Sequence, residues 1–167
     1  MILKELFEKG VDFQTFINLD GDINRDLILN TYNNIIIDGT LINSIKLIKK
    51  RINVLSFAEI WCPDCKINVP CLFKLTEINS NIQMRIVPRE GNEEVMEKYK
   101  YEGKIRIPTF VVLDEEFNEL GAFIETPKTL KRVINTGNEL QVIIAKRKYN
   151  KGGYSIDTIE EVLSIIV

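Results

Sequence analysis

The chain has 167 residues, a formal net charge of −2 and no histidine. Hydrophobic residues make up 45% and charged residues 28%, the balance of a single globular domain large enough to bury its own core. The small net charge gives no reason to expect nucleic acid or a membrane surface as a partner, and the missing imidazoles exclude Ser-His and Cys-His catalysis and most mixed zinc sites.

The first residues, Met1 to Phe16, interleave Lys4, Glu5, Glu8, Lys9 and Asp12 with apolar positions, which is not the pattern of a secretory leader. No apolar run approaches the roughly 20 residues of a membrane-spanning helix. A cytoplasmic location is therefore expected.

Residues 1–50 read as helical. Leu3, Leu6 and Phe7 share one face before Gly10; Leu27, Ile28 and Tyr32 form a second patch; Leu41, Ile42, Ile45 and Ile48 form a third, followed by Lys49-Lys50-Arg51, cations that suit a helix C-terminus. Asp20-Gly21-Asp22 and Asp38-Gly39 are the expected breaks. Asp20-Gly21-Asp22-Ile23-Asn24 lacks the sixth-position Gly and twelfth-position Glu of an EF-hand loop, so it reads as a solvated turn. This segment, 1–50, is expected to form a helical extension packed on a second segment, 51–167.

From residue 52 the pattern changes. Ile52 to Phe57 is β-rich, Pro63 to Ser80 helical, and Ile82 to Val87 β-rich again. Asn92 is expected to cap a short helix carrying Val95, Met96 and Tyr99. Thr109 to Leu113 and Leu120 to Ile124 flank a turn at Asp114–Asn118 and predict a hairpin. Thr126-Pro127 predicts the start of one long helix reaching about Tyr149, with Gly137 inside it. Asn150-Lys151-Gly152-Gly153 breaks the chain before a last helix with Ile159, Val162, Leu163 and Ile166 on one face. The order β-α-β-α-β-β-α implies a parallel pair joined by a right-handed crossover, extended by antiparallel strands. The expected fold class is α/β: a mixed four-stranded sheet flanked by helices.

Trp61-Cys62-Pro63-Asp64-Cys65-Lys66 lies between the first strand and its helix. Two thiols at that spacing can close a disulfide and reopen it. A helix N-terminus under Cys62 favours its thiolate, and Pro63 suits the first helical position because no donor is needed there. A structural or metal-binding thiol pair is the competing reading. Cys71 is the odd thiol: six residues along a helix is a rise of about 9 Å, beyond the roughly 7 Å Cα separation a disulfide tolerates. It reads as a buried, apolar-like cysteine.

With Pro70 and Arg106-Ile107-Pro108-Thr109 added, the sequence resembles the thioredoxin superfamily over roughly residues 52–130. More narrowly, Ala58-Glu59-x-Trp61-Cys62 and Val87-x-Arg89-Glu90 are similar to bacterial thioredoxin-like proteins with a helical N-terminal extension. The resemblance implies a thioredoxin-like fold and a disulfide reductase. Cys62 would be its nucleophile and Cys65 its resolving thiol. Trp61, Ile107 and Pro108 would contact substrate, with Pro108 cis and the backbone of Ile107 offering strand-like hydrogen bonds. It implies no metal and no cofactor beyond the redox-active Cys62–Cys65 pair. Expected partners are a disulfide-containing protein or small disulfide and an electron donor such as a thioredoxin reductase. No Gly-rich dinucleotide fingerprint is present. The alternative is a redox-sensing or binding module with little turnover.

Two departures stand out. Where the family carries a buried Asp, six residues before the nucleophile, this chain has Ser56; Glu59, Asp64 or water would have to take the resolving proton. After the hairpin, where the family has a Gly beside the substrate groove, the chain reads Glu125-Thr126-Pro127.

Overall fold

The computed structural model describes residues 1–167. Four helices precede the first strand: α1 (Ile2–Lys9), α2 (Phe13–Ile17), α3 (Asp22–Asn34) and α4 (Gly39–Lys46). Side-chain caps start two of them. Asp12 accepts from the Thr15 backbone N–H at 2.8 Å and Asp38 from that of Leu41 at 2.9 Å, each satisfying a donor that a helix start leaves without a partner. Within the Asp20–Asn24 turn, Asn24 donates to Asp20 at 2.6 Å.

Phe7, Ile28, Ile45 and Ile48 are buried, as the apolar patches imply, but Leu27 is half-exposed. The short helix α2 supplies more of the core than any patch suggests. Phe13, Phe16 and Ile17 are all but fully buried, and Phe13 stacks on Phe73 with ring centroids 3.9 Å apart. Gly10 does more than end α1. Val11 and Ile86 exchange backbone hydrogen bonds at 2.9 and 2.8 Å, which draws the chain so close that a Cβ on Gly10 would stand 2.8 Å from Arg85 Cβ.

The remaining elements are β1 (Ile52–Phe57), α5 (Pro63–Ile78), β2 (Ile82–Val87), α6 (Glu93–Met96), β3 (Lys100–Tyr101), β4 (Lys104–Ile105), β5 (Thr109–Leu113), β6 (Glu119–Ile124), α7 (Lys128–Asn135), α8 (Glu139–Asn150) and α9 (Ser155–Ile166). The sheet order is β2-β1-β5-β6. β1 and β2 are parallel and in register from Ile52 opposite Ile82 to Phe57 opposite Val87; β5 runs antiparallel to both β1 and β6. All six residues of β1 are buried, as expected of a strand paired on both sides. The helix α5 crosses between the parallel strands and packs on α3, α9 and β2, while α9 packs on β5 and β6.

Three expectations are corrected. The long helix after Pro127 is two helices, because Gly137 adopts φ +71° and Asn138 restarts the chain by accepting from the Gln141 N–H at 3.1 Å; Pro127 itself has extended backbone and precedes α7. Asn92 stands ahead of α6, but its side chain donates back to the Pro88 carbonyl at 2.8 Å and caps nothing. A two-stranded hairpin, β3–β4, was not expected. It turns through Glu102 and Gly103 at φ +50° and +73°, the left-handed pair a tight hairpin requires.

One apolar cluster runs through both 1–50 and 51–167, from Phe7 and Phe13 to Leu163. A second, smaller one joins Ile67 of α5, Leu130 of α7, Ala145 and Tyr149 of α8, and Tyr154. Because Phe13 belongs to the main core, Phe13→Ala is expected to cost about 3–5 kcal/mol and to lower the midpoint of a single urea transition, followed together by Trp61 fluorescence and far-UV circular dichroism. An unchanged midpoint would show that the N-terminal helices lie outside the cooperative unit.

Candidate active site

The site begins where β1 ends. The N–H of Ala58 continues the pairing with β2, donating to the Val87 carbonyl at 3.0 Å. The Glu59 carboxylate then accepts from the backbone N–H groups of Arg89 and Glu90 at 2.9 and 3.2 Å, tying the loop after β1 to the loop after β2. A turn closes with the Cys62 N–H on the Glu59 carbonyl at 3.1 Å, and the Cys62 carbonyl accepts the first helical bond from Lys66 at 3.1 Å. Cys62 is thus the N-cap of α5, with extended backbone and Pro63 at the first helical position. The backbone N–H groups of the first helical turn and the positive end of the helix dipole lie at this end of α5, and both favour its thiolate.

The second half of the site is the segment before β5. The Ile107–Pro108 peptide bond is cis, and the Cys62 thiol faces the Ile107 carbonyl at 3.7 Å. The segment is held by Thr109, whose hydroxyl donates to the Arg106 carbonyl at 2.7 Å, and by the Glu125 N–H, which donates to the Pro108 carbonyl at 2.7 Å. The structure therefore brings Cys62, Cys65, Ile107 and Pro108 together. Trp61 stands beside them, 56% exposed, on the surface and outside the core.

The two thiols differ sharply. Both are free, but Cys65 is fully buried while Cys62 retains slight exposure. A hydrogen bond from the Cys65 thiol pulls the Cys62 pKa down most; the backbone N–H groups of Cys65 and Asp64 add to this, and together they outweigh burial and the Asp64 charge, leaving Cys62 below the ordinary thiol value. Burial pushes Cys65 well above it, and the bond to Cys62 and the Cys62 charge push the same way. Cys71 is fully buried, its thiol facing the Ile67 carbonyl at 3.3 Å, and burial pushes its pKa up to about 12. That is an inert thiol.

Ser56 is fully buried in β1 and its hydroxyl has no protein partner. Of the two carboxylates considered in its place, Glu59 is occupied with the loop. Asp64 is held instead by the Tyr149 hydroxyl, which donates to it at 2.7 Å. Burial raises the Asp64 pKa, against the Tyr149 bond and the nearby Arg106 charge. Arg106 also pairs with Glu125 at 3.4 Å. Glu125 takes φ +64°, a conformation glycine adopts freely and glutamate does not, and burial raises its pKa also. These groups line a cavity of about 370 Å³ next to Asp64, shared with Tyr101, Lys131 and Lys146. A larger cavity of about 830 Å³, lined by Leu47, Lys50 and Asp114 among others, lies at the other end of β1 and is lined by no cysteine. No three Cys, Asp or Glu side chains are grouped to hold a metal ion, and no helix is long and apolar enough to cross a membrane.

The sequence profile of the family described as Thioredoxin matches residues 10–141. The chain belongs to the thioredoxin family. Among solved structures, this thioredoxin-family protein is similar to a Pseudomonas aeruginosa protein of unknown function, with 30% identity and a TM-score of 0.85 over 98% of this chain and 95% of that one. It is also similar to an HIV epitope-scaffold protein, with 29% identity and a TM-score of 0.84 over 98% and 96%. No curated protein matches the chain.

Sequence reasoning passed over Tyr149, which bonds Asp64, and Asn68 and Thr158, which are hydrogen-bonded in line behind it; the three come from three helices. Asn68, a polar residue between Ile67 and Val69 in a helix with buried neighbours, was the one available signal. The opposing influences on Cys62 can be separated by its rate of iodoacetamide alkylation against pH. The wild-type midpoint is expected below that of a free thiol. Cys65→Ala, which removes the largest stabilising bond, raises it, and Asp64→Asn, which removes a repelling charge, lowers it. Opposite shifts would overturn the arrangement of charges described here.

Proposed function

We propose that this protein is a thiol–disulfide oxidoreductase that works mainly as a disulfide reductase. The observation that carries the reading is the asymmetric pair: a nucleophile at a helix N-cap against the cis-proline segment, with its partner thiol buried beneath. The Cys62 thiolate attacks one sulfur of a substrate disulfide; a Cys62–substrate bond forms and the first substrate thiolate leaves, taking a proton from solvent. Cys65 then loses its proton and attacks Cys62 Sγ. The Cys62–Cys65 disulfide forms and the second substrate thiolate departs. The substrate gains two electrons and the dithiol loses two.

Return to the dithiol needs an external donor, a thioredoxin reductase-like flavoprotein or a low-molecular-weight thiol. The exposed indole of Trp61 and the Ile107 backbone serve as the substrate contacts, an extended segment adding strand-like bonds at Ile107. A cytoplasmic setting suits the reaction, since that compartment keeps thiols reduced. The rim at Glu125 supports a second reading, a redox-sensing or binding module with a narrow set of partners and little turnover.

Two measurements test this. With dithiothreitol as donor, the wild type is expected to accelerate insulin reduction and Cys62→Ser to abolish the acceleration; no acceleration by the wild type favours the second reading. Cys65→Ser is expected to retain partners as mixed disulfides on Cys62, identifiable by mass spectrometry. Equally empty captures with Cys65→Ser and Cys62→Ser would count against reductase function.

A further inference from the structure

Four polar side chains from three helices form an unbroken hydrogen-bonded chain that ends on Asp64. The Thr158 hydroxyl of α9 donates to Asn68 Oδ1 at 2.8 Å, Asn68 Nδ2 of α5 donates to Tyr149 Oη at 2.8 Å, and Tyr149 of α8 donates to Asp64 Oδ1 at 2.7 Å. Asn68 Nδ2 also faces the carbonyls of Asp64 and Glu125 at 3.1 and 3.0 Å. Asn68, Thr158 and Tyr149 are 0%, 1% and 5% exposed.

The direction of the chain follows from its end. An ionised carboxylate only accepts, so Tyr149 must donate to it; the phenol oxygen is then left to accept from the Asn68 amide, and Asn68 Oδ1 to accept from Thr158. Leaving any of these buried groups unpaired is costly, so the network favours an ionised Asp64 in one orientation. Tyr149 and Thr158 lie beyond residue 141, where the family match ends.

We propose that Tyr149 is a positioning residue that, with Asn68 and Thr158 behind it, holds the Asp64 carboxylate ionised beside the dithiol as the acceptor of the Cys65 proton. This rests on the reductase reading. Ser56 has no basic group to offer, and Glu59 is engaged by two backbone N–H groups. In the mixed disulfide Cys62 carries no charge, and Asp64 is the neighbouring anion in the same helical turn. Moving the Cys65 proton onto Asp64 leaves one negative charge in the site before and after, so no thiolate forms beside an ionised carboxylate. The Cys65 thiolate attacks Cys62 Sγ, the Cys62–substrate bond breaks with its electron pair on the departing thiolate, and Asp64 returns its proton to solvent or to that thiolate.

Other charged and titratable groups face Asp64: Arg106 before β5, Glu125 after β6, Tyr101 and Glu102 on the β3–β4 hairpin, Lys131 on α7, Lys146 on α8, and Cys62 and Cys65 in its own turn. Arg106 lowers the Asp64 pKa as Tyr149 does. Loss of Tyr149 therefore raises the Asp64 pKa without abolishing its ionisation.

The test uses the full chain carrying Cys71→Ala and the chromogenic disulfide dithiobis(nitrobenzoate). Release of the first coloured thiolate reports attack by Cys62, and release of the second reports resolution by Cys65. The second rate is expected to fall on the acid side as Asp64 is protonated. Tyr149→Phe moves that limb to higher pH by about half to one unit. Asp64→Asn removes the limb and slows the second release by about a hundredfold, the lower range for a positioned base. Tyr149→Phe adds nothing in the Asp64→Asn background, since it acts through Asp64. Thr158→Val, which leaves Tyr149 in place, gives a smaller shift in the same direction and serves if Tyr149→Phe does not fold. An unmoved acid limb in the foldable variants, or a Tyr149→Phe effect that persists with Asn at position 64, overturns the proposal. If instead the wild type releases no second thiolate and does not accelerate insulin reduction, it is the reductase reading that fails.

Discussion

The fully buried strand β1 is the constraint on which the rest of the site depends. It is hydrogen-bonded to β2 on one side and β5 on the other, and none of its six residues reaches solvent. A strand held on both edges and both faces cannot shift register without moving its whole side-chain set. Its C-terminal end is thus a fixed point, and only the short span 58–61 separates that point from the N-cap of α5. Glu59 anchors the span to the neighbouring loop through two backbone donors. The same sheet carries β5, whose N-terminal end places Pro108 and Ile107 against Cys62. Cys62 and the carbonyl facing it are therefore positioned from the ends of adjacent strands of one rigid sheet, the arrangement that holds a site most accurately.

The chemistry is shaped by the absence of imidazole. With no histidine in the chain, no side chain has its ordinary pKa near neutral pH, and the site sets its thiols and carboxylates apart by environment. It does so by opposition. The N-cap position and the Cys65 thiol bring Cys62 down; burial takes Cys65 and Asp64 up. Arg106 lies between Asp64 and Glu125 and offsets both carboxylates. Glu125 sits in a left-handed conformation at the end of β6, where its N–H holds Pro108 and its carbonyl meets Asn68. A glycine there would relax the backbone but would leave Arg106 without its ion pair.

Local order was legible in the sequence wherever one element declares itself by pattern. Ile52–Phe57 and Ile82–Val87 stand at the expected residues because a β-branched run bounded by breakers has few alternatives, and Cys62-Pro63 marks a helix start from either side. What was hidden is of three kinds. Two-residue strands such as Lys100–Tyr101 are too short to show alternation. Gly137 was visible, yet whether a glycine bends or ends a helix depends on the following residue, and Asn138 decided it by capping α8. Contacts far apart in sequence left no trace: Tyr149 is 85 residues from Asp64, and nothing in its neighbourhood distinguishes it from a core aromatic. Asp64 accordingly looked like an ordinary first-turn acid, when burial and a phenol hydroxyl define it.

That position 56 in β1 is a serine while Asp64 stands in the first turn of α5 has a structural consequence. An Asp at position 56 would be enclosed by β2, β5 and the helix above it, with its ionisation governed by the core alone. Asp64 lies at the rim, where α7, α8 and the β3–β4 hairpin converge on a cavity. Its environment is set by elements outside the sheet: Tyr149 from α8, Arg106 before β5, and through Asn68 the start of α9. Packing of the C-terminal helices on α5, through Ile67, Leu130, Ala145, Tyr149 and Tyr154, is therefore coupled to the electrostatics of the dithiol. A change in how α8 seats on α5 alters the charge beside Cys65 without touching either sulfur, so in this chain the C-terminal helices belong to the site as much as the strand that carries it.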